Sequence, residues 1–482
     1  MTTDQCPDER EGVDLTSEEA LVAKLRERTI SLRRAIVFAF VDLQIGPSLA
    51  VLAGYLILTG GGNNWCAIIV AGLLILSVTE VVRIFSSRYI VTGGLMTYLV
   101  KAGWRRAGLF VGSANLVGYL ALAAAVSTGV TFFTQAAFSD LGWTALETRQ
   151  GQAIAFVVIA ALLTAVALRG LQIASRIAIV LGLACIPFVF WITIQAVVMS
   201  RGVDWGVLTP DLGNLAALVA PVTLVLSNYI GFDGWAFLAT ETDQPQRNVP
   251  RILHFVALVS LGLFLLVVVA QTPLLVGHEA DIEAGTSPLS ILAGIAGLQG
   301  LGTVLNIALA LALFGAGITT LTYGGRLLAA GATVGLLPKA VAKVSRSSNS
   351  PFVAMLILGA AMAFLPLALS MSVEKTPIEA GIYFSEATAY LWSGPYVVAG
   401  VIGIVVVWRS TRRAWLSIAA ASICVAGYAS FLGYSLHNGW QDADSALPWI
   451  CVAIVFVTFV SVFAIDRRHD GQLDVSALDD PA

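Results

Sequence analysis

Twelve long apolar segments joined by short polar connections make up most of this chain of 482 residues. Each segment has the roughly 20 mostly apolar residues that a helix needs to cross a bilayer. We number them span 1 to span 12, at 35–59, 65–85, 109–133, 152–168, 177–199, 215–240, 253–275, 304–330, 352–371, 387–408, 414–436 and 449–465. The alternating pattern of a membrane β-barrel is absent. The chain is therefore predicted to be an all-α integral membrane protein with about twelve transmembrane helices.

Two spans carry polar or glycine-rich interruptions close to their midpoints. Span 1 contains Gln44-Ile45-Gly46-Pro47-Ser48, and span 6 contains Gly231-Phe232-Asp233-Gly234. Backbone polar groups at bilayer depth need partners, so such interruptions indicate helices that unwind beside a cavity and not beside lipid. A simple kink is the alternative for either break alone. Because the breaks lie five spans apart, they predict a 5+5 inverted repeat with a binding site between them.

The predicted repeat divides the chain into four parts. Residues 1–34 form an amino-terminal tail, 35–408 a ten-helix transport core, 409–465 two additional transmembrane helices, and 466–482 a carboxyl-terminal tail. The amino-terminal tail is polar and acidic at first and lacks a small-residue cleavage site before a short apolar core, so it is not a secretory signal. The five cysteines are scattered without a CxxC pair, which argues against metal or disulfide roles.

Composition and charge refine this interpretation. The chain is 57% hydrophobic and 12% charged, whereas soluble domains are about 25% charged. If span 1 begins in the cytoplasm, only three of the 27 basic residues fall on the outer side, namely Arg149, Arg201 and Lys375. The positive-inside rule then predicts a multi-pass plasma-membrane protein with both termini cytoplasmic. No nucleic-acid partner is implied.

Several motifs together resemble a transporter family. They are Gly231-Phe232-Asp233-Gly234-Trp235, Ala239-Thr240-Glu241-Thr242, the run from Gln244 to Arg251, Glu80 with Arg88 and Gly93-Gly94, Leu168-Arg169-Gly170, and Arg326 with Gly335-Leu336-Leu337-Pro338. Over roughly residues 30 to 410 the chain resembles the amino acid, polyamine and organocation (APC) superfamily. This resemblance implies the leucine-transporter-type fold, in which helices 1, 2, 6 and 7 rock against helices 3, 4, 8 and 9. It also implies amino acid or small amine substrates, driven by a proton gradient, a sodium gradient or exchange.

The two breaks supply the candidate substrate site. A broken helix exposes N–H groups where its second half begins and carbonyl groups where its first half ends, which together suit a zwitterionic amino acid. The candidate substrate-binding residues are Ile45, Gly46, Pro47, Ser48, Gly231, Phe232, Asp233 and Gly234, with Asn115 and Tyr119 on span 3. Pro47 lacks an N–H where the family often has Gly-x-Gly, which leaves carboxylate capture by Gly46 and Ser48 open. The family places a gating aromatic at Phe232, with ordinary packing as the alternative, and Asn115 has the alternative of bonding a neighbouring helix.

Ionisable and hydroxyl side chains within the spans are the candidates for coupling or gating. Asp233 is the deepest carboxylate, and it either titrates and pairs with a substrate amine or caps the second half of span 6. Asp42 fits an inner gate or a coupling site. Glu80, Arg83, Glu241 and Arg326 are predicted to form salt bridges around the cytoplasmic mouth, and Thr319 and Thr320 leave a sodium site open. Span 5 lacks the lysine by which some family members mimic sodium and has Cys185 near that position.

These observations favour a secondary active transporter of amino acids, with an organic amine or polyamine carrier as the alternative. A membrane enzyme is disfavoured because the chain has none of the motifs His-Glu-x-x-His, Gly-x-Ser-x-Gly and Gly-x-x-x-x-Gly-Lys. A channel would need a filter loop or a ring of charges, and a sensor would need an appended domain. The sequence shows no pattern typical of either class. The expected partners are a small-molecule substrate and the lipid bilayer, with no cofactor beyond a coupling proton or sodium ion and no obligatory protein partner evident.

Overall fold

The computed structural model describes residues 30–60, 64–200, 203–210, 215–283, 286–345, 348–373, 377–410, 414–441 and 446–468. Twelve of its helical segments are long and apolar enough to cross a membrane. The predicted all-α membrane fold is confirmed. The predicted tails before residue 30 and after residue 468 lie outside the described residues, as do Arg201 and Lys375. The internal repeat stays a prediction.

The spans follow one another through short connections, and several of them are longer than predicted. Spans 1 to 6 are Leu32–Asp42 with Ile45–Gly60, Asn64–Ser86, Arg105–Asp140, Arg149–Ala167, Leu171–Gly182 with Ile186–Met199, and Val219–Ser227 with the 3-10 helix Phe232–Glu241. Spans 7 to 12 are Pro245–Leu275, Gly302–Thr333, Phe352–Val373, Pro377–Trp408, Trp415–Gln441 and Leu447–Arg468. Shorter helices in the connections include Gly94–Lys101 after span 2 and Glu279–Glu283 and Pro288–Ile295 after span 7.

The break in span 1 lies at the amino-terminal end of the predicted interruption Gln44–Ser48. The first half ends at Asp42, Gln44 adopts a left-handed conformation with φ 50°, and the second half begins at Ile45. Pro47 is the third residue of this second half. The ring of proline suits the first turn of a helix, where its missing N–H would have no intrahelical partner. Gln44 of the predicted interruption is therefore unwound, whereas Ile45 to Ser48 belong to the second half of the helix.

Span 6 breaks at Asn228–Gly231, just ahead of the predicted centre. Gly231 has φ +90°, a left-handed conformation that glycine adopts readily, and the 3-10 helix Phe232–Glu241 follows directly. Phe232, Asp233 and Gly234 therefore belong to the first turn of the second half and not to the unwound segment. This turn aims the Asp233 carboxyl into the protein, where the side chain is 1% exposed.

Span 5 contains a third break that the sequence pattern did not predict. Its first half ends at Gly182, and its second half begins at Ile186. A Cβ on Gly46 would lie 2.3 Å from Cys185 Sγ and 3.3 Å from the Gly182 carbonyl oxygen. The breaks of spans 1 and 5 are thus in close contact, and glycine at position 46 permits this approach. Cys185 is buried at the contact.

Span 10 also begins ten residues before its predicted start, at Pro377. Its first part carries Glu379 and Glu386. These two carboxylates made the segment resemble a loop in the hydropathy pattern. The correction matters because this part of span 10 lines the candidate site.

Candidate functional site

A hydrogen bond between side chains joins the two broken spans. Ser48, in the first turn after the span 1 break, donates from Oγ to Asn228 Oδ1 at 2.7 Å. Asn228 begins the span 6 break and donates from Nδ2 to the Leu224 carbonyl oxygen at 2.8 Å. The Ser48 N–H donates to the Gln44 carbonyl oxygen at 2.9 Å. The Ser48 backbone is therefore not free to capture a carboxylate, which leaves the N–H groups of Ile45 and Gly46 at the start of the helix.

A cavity of about 160 Å³ lies beside this hydrogen bond. We call it the vestibule. It extends from the breaks towards Tyr55 of span 1 and Pro377, the first residue of span 10, and so faces away from the side on which span 1 begins. Its polar lining residues are Gln44, Ser48, Tyr55, Ser227, Asn228, Ser385 and Glu386. Its other lining residues include Val51, Leu52, Phe132, Phe133, Leu313 and Ile382.

Two buried carboxylates lie on the other side of the breaks, towards the side on which span 1 begins. Asp42 ends the first half of span 1 and is 6% exposed. Asp233 Oδ1 accepts hydrogen bonds from Tyr396 Oη at 3.0 Å and from Trp392 Nε1 at 3.3 Å. The Oδ2 atoms of both carboxyl groups have no hydrogen-bond partner among the described residues. A Cβ on Gly231 would lie 3.6 Å from Asp42 Oδ2, so the Asp42 carboxyl faces the span 6 break.

Two tyrosines from spans 3 and 8 close around these acids. Tyr119 and Tyr323 are fully buried, and in the described part of the chain neither hydroxyl has a hydrogen-bond partner. Both interact electrostatically with Asp42, and Tyr119 also with Asp233. A Cβ on Gly234 would lie 2.9 Å from the Tyr119 hydroxyl. We call Asp42, Asp233, Tyr119, Tyr323 and Thr319 the acid chamber.

Aromatic rings fill the space next to the acid chamber. Phe38 of span 1 packs edge-on against Tyr323 and Trp235, with ring centroids 5.5 and 6.3 Å apart. Tyr119 packs against Phe237 at 5.5 Å and Trp392 at 5.2 Å. The contacts connect spans 1 and 6 with spans 3, 8 and 10. This part of the protein is therefore densely packed, in contrast to the vestibule.

A buried ion pair closes the side on which span 1 begins. Glu241 at the end of span 6 accepts two hydrogen bonds from Arg326 of span 8, through Nε and, at 2.8 Å, through Nη2. Both side chains are almost completely buried. Nearby, the Thr240 and Thr92 hydroxyls are 2.8 Å apart, and the Ile30 N–H donates to the Glu241 carbonyl oxygen at 2.9 Å. We call the Glu241–Arg326 pair the seal.

Glu80 and Arg83 form a separate cluster on the same side. Arg83 pairs with Glu80 on the same helix at 2.7 Å, and His254 Nε2 of span 7 lies 3.0 Å from Glu80 Oε1. The Arg83 side chain is 43% exposed, in contrast to the buried Arg326. The four predicted salt-bridge residues therefore form two unlike pairs. Of these two carboxylate–arginine pairs, Glu241–Arg326 connects two different spans, whereas Glu80 and Arg83 lie on one helix.

The remaining predicted residues lie near the acid chamber or pack within the bundle. The Thr319 and Thr320 hydroxyls donate to the Ala316 carbonyl oxygen at 2.6 and 3.0 Å. Asn115 is buried, and its amide atoms have no partner within the ranges described above. Phe232 is 2% exposed and does not line the vestibule. These positions leave the gating role of Phe232 a prediction.

Sequence reasoning missed several residues of the site. Asn228, Tyr323 and the span 10 residues Glu386, Trp392 and Tyr396 were not among the candidates. Asn228 was recoverable, because it lies three residues before Gly231 of the predicted interruption and an amide inside a membrane helix needs a partner. Trp392 and Tyr396, which donate hydrogen bonds to Asp233, lie 159 and 163 residues away from it in sequence. No local pattern connects residues at such a separation.

Comparison with known proteins places this architecture in context. The sequence profile of the family described as amino acid permease matches residues 30–470. A branched-chain amino acid permease of Bacillus subtilis is 24% identical over 333 residues, covering 67% of this chain and 70% of the relative. A methylthioribose transporter of Bacillus subtilis is 24% identical over 318 residues, covering 64% and 68%. An uncharacterized transporter of Mycobacterium tuberculosis is 24% identical over 361 residues, covering 70% and 73%.

Proposed function

Because this chain belongs to the amino acid permease family, we propose that it is a secondary active transporter that moves amino acids across the plasma membrane by alternating access. In this proposal both termini are cytoplasmic. The positive-inside rule supports this orientation, because only three of the 27 basic residues of the chain fall in the predicted outer loops. The vestibule then faces outwards and the seal faces the cytoplasm. Transport requires the reverse arrangement as well, in which the seal opens and the vestibule closes.

The observation that carries the proposal is the contrast between the two sides of the breaks. The outer side has the cavity of about 160 Å³, whereas the cytoplasmic side has buried aromatic rings and the Glu241–Arg326 pair. A channel would need a continuous path in its open form. A closed side opposite an open side is what an alternating-access carrier requires.

The vestibule supports an amino acid with a medium-sized apolar side chain as the substrate. A cavity of about 150 Å³ lined by apolar side chains holds a molecule the size of benzene, which is comparable to the space beside Val51, Phe132 and Leu313. The N–H groups of Ile45 and Gly46 begin a helix and attract a carboxylate. Glu386 supplies a negative charge for the substrate ammonium group. The related branched-chain amino acid permease of Bacillus subtilis is named for substrates of this class.

An organic amine carrier is the second candidate, because Glu386 and the acid chamber provide negative charges that a cation without a carboxylate would also find. Counterflow in proteoliposomes separates the two candidates. Exchange of labelled leucine is measured against unlabelled compounds that form two matched pairs. Each pair consists of an amino acid and the amine that lacks its carboxylate: leucine with isoamylamine, and lysine with cadaverine. We expect saturable exchange in which leucine competes and isoamylamine does not. Competition by amines alone would transfer the assignment to the amine class, and flux that never saturates would refute a carrier.

A further inference from the structure

Two arginines lie where the first halves of spans 1 and 5 meet. Arg34, the third residue of span 1, donates from Nη2 to the carbonyl oxygen of Gln172 in the first turn of span 5. Arg176 lies four residues further along span 5, about one helical turn, and the positive charges of Arg34 and Arg176 repel each other. The two helices remain in contact beyond this point, since a Cβ on Gly182 would lie 2.5 Å from the Val41 side chain. We call Arg34 and Arg176 the arginine pair.

No carboxylate balances the arginine pair in the described part of the chain. Residues 148–203 include no aspartate or glutamate. Spans 1, 4 and 8 pack against the first half of span 5. Spans 4 and 8 have no carboxylate, and Asp42 of span 1 lies eight residues beyond Arg34, in the acid chamber. An anion that balances these two charges therefore comes from outside the described residues.

Both arginines lie at the depth of the lipid headgroups. Arg34 immediately precedes the apolar segment 35–59, and Arg176 immediately precedes the apolar segment 177–199. The hydrocarbon core of the bilayer begins with such segments, so the residue before each of them lies in the polar headgroup region. The two guanidinium groups therefore face the layer that contains the lipid phosphates.

Arg176 also lies on the face of span 5 that points away from the protein. Ile173 and Val180, three residues before and four residues after it, are 46% and 71% exposed. This spacing places all three side chains on one face of the helix. Ala174 and Ala178, on the opposite face, are completely buried. The cationic site is therefore continuous with an apolar surface that lipid acyl chains cover.

We propose that the arginine pair binds the phosphate of an anionic phospholipid, whose acyl chains lie along the outward face of span 5. A guanidinium donates parallel N–H groups to phosphate oxygens, so one phosphate can accept from both arginines and reduce their repulsion. Basic pockets between transmembrane helices bind anionic headgroups in this way. A choline headgroup fits less well, because its ammonium group adds positive charge. The bound lipid connects the first half of span 1 to span 5, whichever substrate the protein carries.

The test titrates the purified full-length protein with dioleoylphosphatidylglycerol or dioleoylphosphatidylcholine, and native mass spectrometry measures the affinity for each lipid. We expect the wild type to bind one phosphatidylglycerol more tightly than phosphatidylcholine. Each arginine near an anionic lipid contributes about fivefold in affinity. Arg34→Gln and Arg176→Gln should therefore each weaken phosphatidylglycerol binding by about fivefold, and the double variant by about 25-fold.

The matched control is the double variant Arg106→Gln with Arg409→Gln. It removes the same charge from the side on which span 1 begins, at the start of span 3 and directly after span 10. Arg106 instead lies over the Phe463 ring, 5.6 Å from its centroid. The control should keep the wild-type affinity at the tightest phosphatidylglycerol site. An equal loss in the control and in the double variant of the arginine pair would overturn the proposal, as would equal wild-type affinity for the two lipids.

Inorganic phosphate distinguishes a lipid headgroup from a soluble anion. Bound phosphatidylglycerol should remain when inorganic phosphate is added at the same concentration, because the acyl chains contribute to binding. Its displacement would assign the site to a soluble anion and contradict the proposal. Should the double variant fail to fold, the exposed position of Arg176 provides the decisive comparison. Arg176→Lys should retain most of the affinity that Arg176→Gln loses, and equal affinities of these two variants would refute a charge-dependent site.

Discussion

Breaking the seal should shift the protein towards the form that is open to the cytoplasm. In Glu241→Gln the neutral amide leaves the Arg326 charge buried without its partner, while the backbone bond from Ile30 to the Glu241 carbonyl can remain. Removing one member of a buried ion pair typically costs about 3–5 kcal/mol. Most of this cost falls on the sealed form, because water reaches Arg326 once the cytoplasmic side opens.

A difference of about 3 kcal/mol changes the ratio of the two forms by roughly 100-fold. Glu80→Gln is the matched control, since the same substitution on the same side breaks a partly exposed pair with Arg83. Pairs of that kind contribute about 0–1 kcal/mol. The control should therefore change the ratio by less than about tenfold.

The assay measures access to the vestibule from outside. Ser385→Cys, in a background in which Cys66 is replaced by serine, places a thiol among the vestibule residues. An impermeant maleimide should label this thiol readily in the parent protein and slowly in the Glu241→Gln variant. The charge-reversed double variant Glu241→Arg with Arg326→Glu should recover part of the labelling. Equal labelling rates in Glu241→Gln, Glu80→Gln and the parent would refute the assignment of Glu241–Arg326 as the seal.

Two further substitutions test the packing of the breaks. Gly46→Ala should destabilise the protein by about 1–3 kcal/mol, because the new Cβ would lie 2.3 Å from Cys185 Sγ. Thermal unfolding in detergent should show a lower Tm, and the Tm should recover when Cys185→Ala is added. Additive effects of the two substitutions on the Tm would contradict the contact. Phe232→Ala should raise the KM for leucine and increase substrate leak during counterflow if Phe232 occludes the site, and an unchanged KM with a lower Tm would assign the ring to packing.

Hydropathy predicted the number of spans, and polar or glycine interruptions within the spans predicted the two principal breaks, because bilayer thickness and backbone satisfaction constrain every membrane helix. It misplaced the start of span 10, since Glu379 and Glu386 lower the local hydropathy although the segment is helical. It missed the break in span 5, where the sequence from Leu183 to Cys185 carries no polar signal.

The candidate site was predictable only in part, for a similar reason. Asp42, Asp233 and Tyr119 were recognisable as polar groups at bilayer depth. Their partners Trp392 and Tyr396 were not, because an aromatic residue in an apolar span has the same pattern whether it packs against lipid or donates to a carboxylate. The pairing of Glu241 with Arg326 depends on how spans 6 and 8 meet, which only the folded chain specifies.

Substrate protection of a single thiol tests most directly whether the broken spans hold the substrate. In the background in which Cys66 is replaced by serine, Ser48→Cys places that thiol between the breaks, in the vestibule and beside Asn228. We expect an impermeant maleimide to inhibit leucine counterflow by this variant, and saturating leucine to slow the inhibition while isoamylamine does not. Inhibition at the same rate with and without leucine, in a variant that still transports leucine, would place the substrate elsewhere and contradict the account.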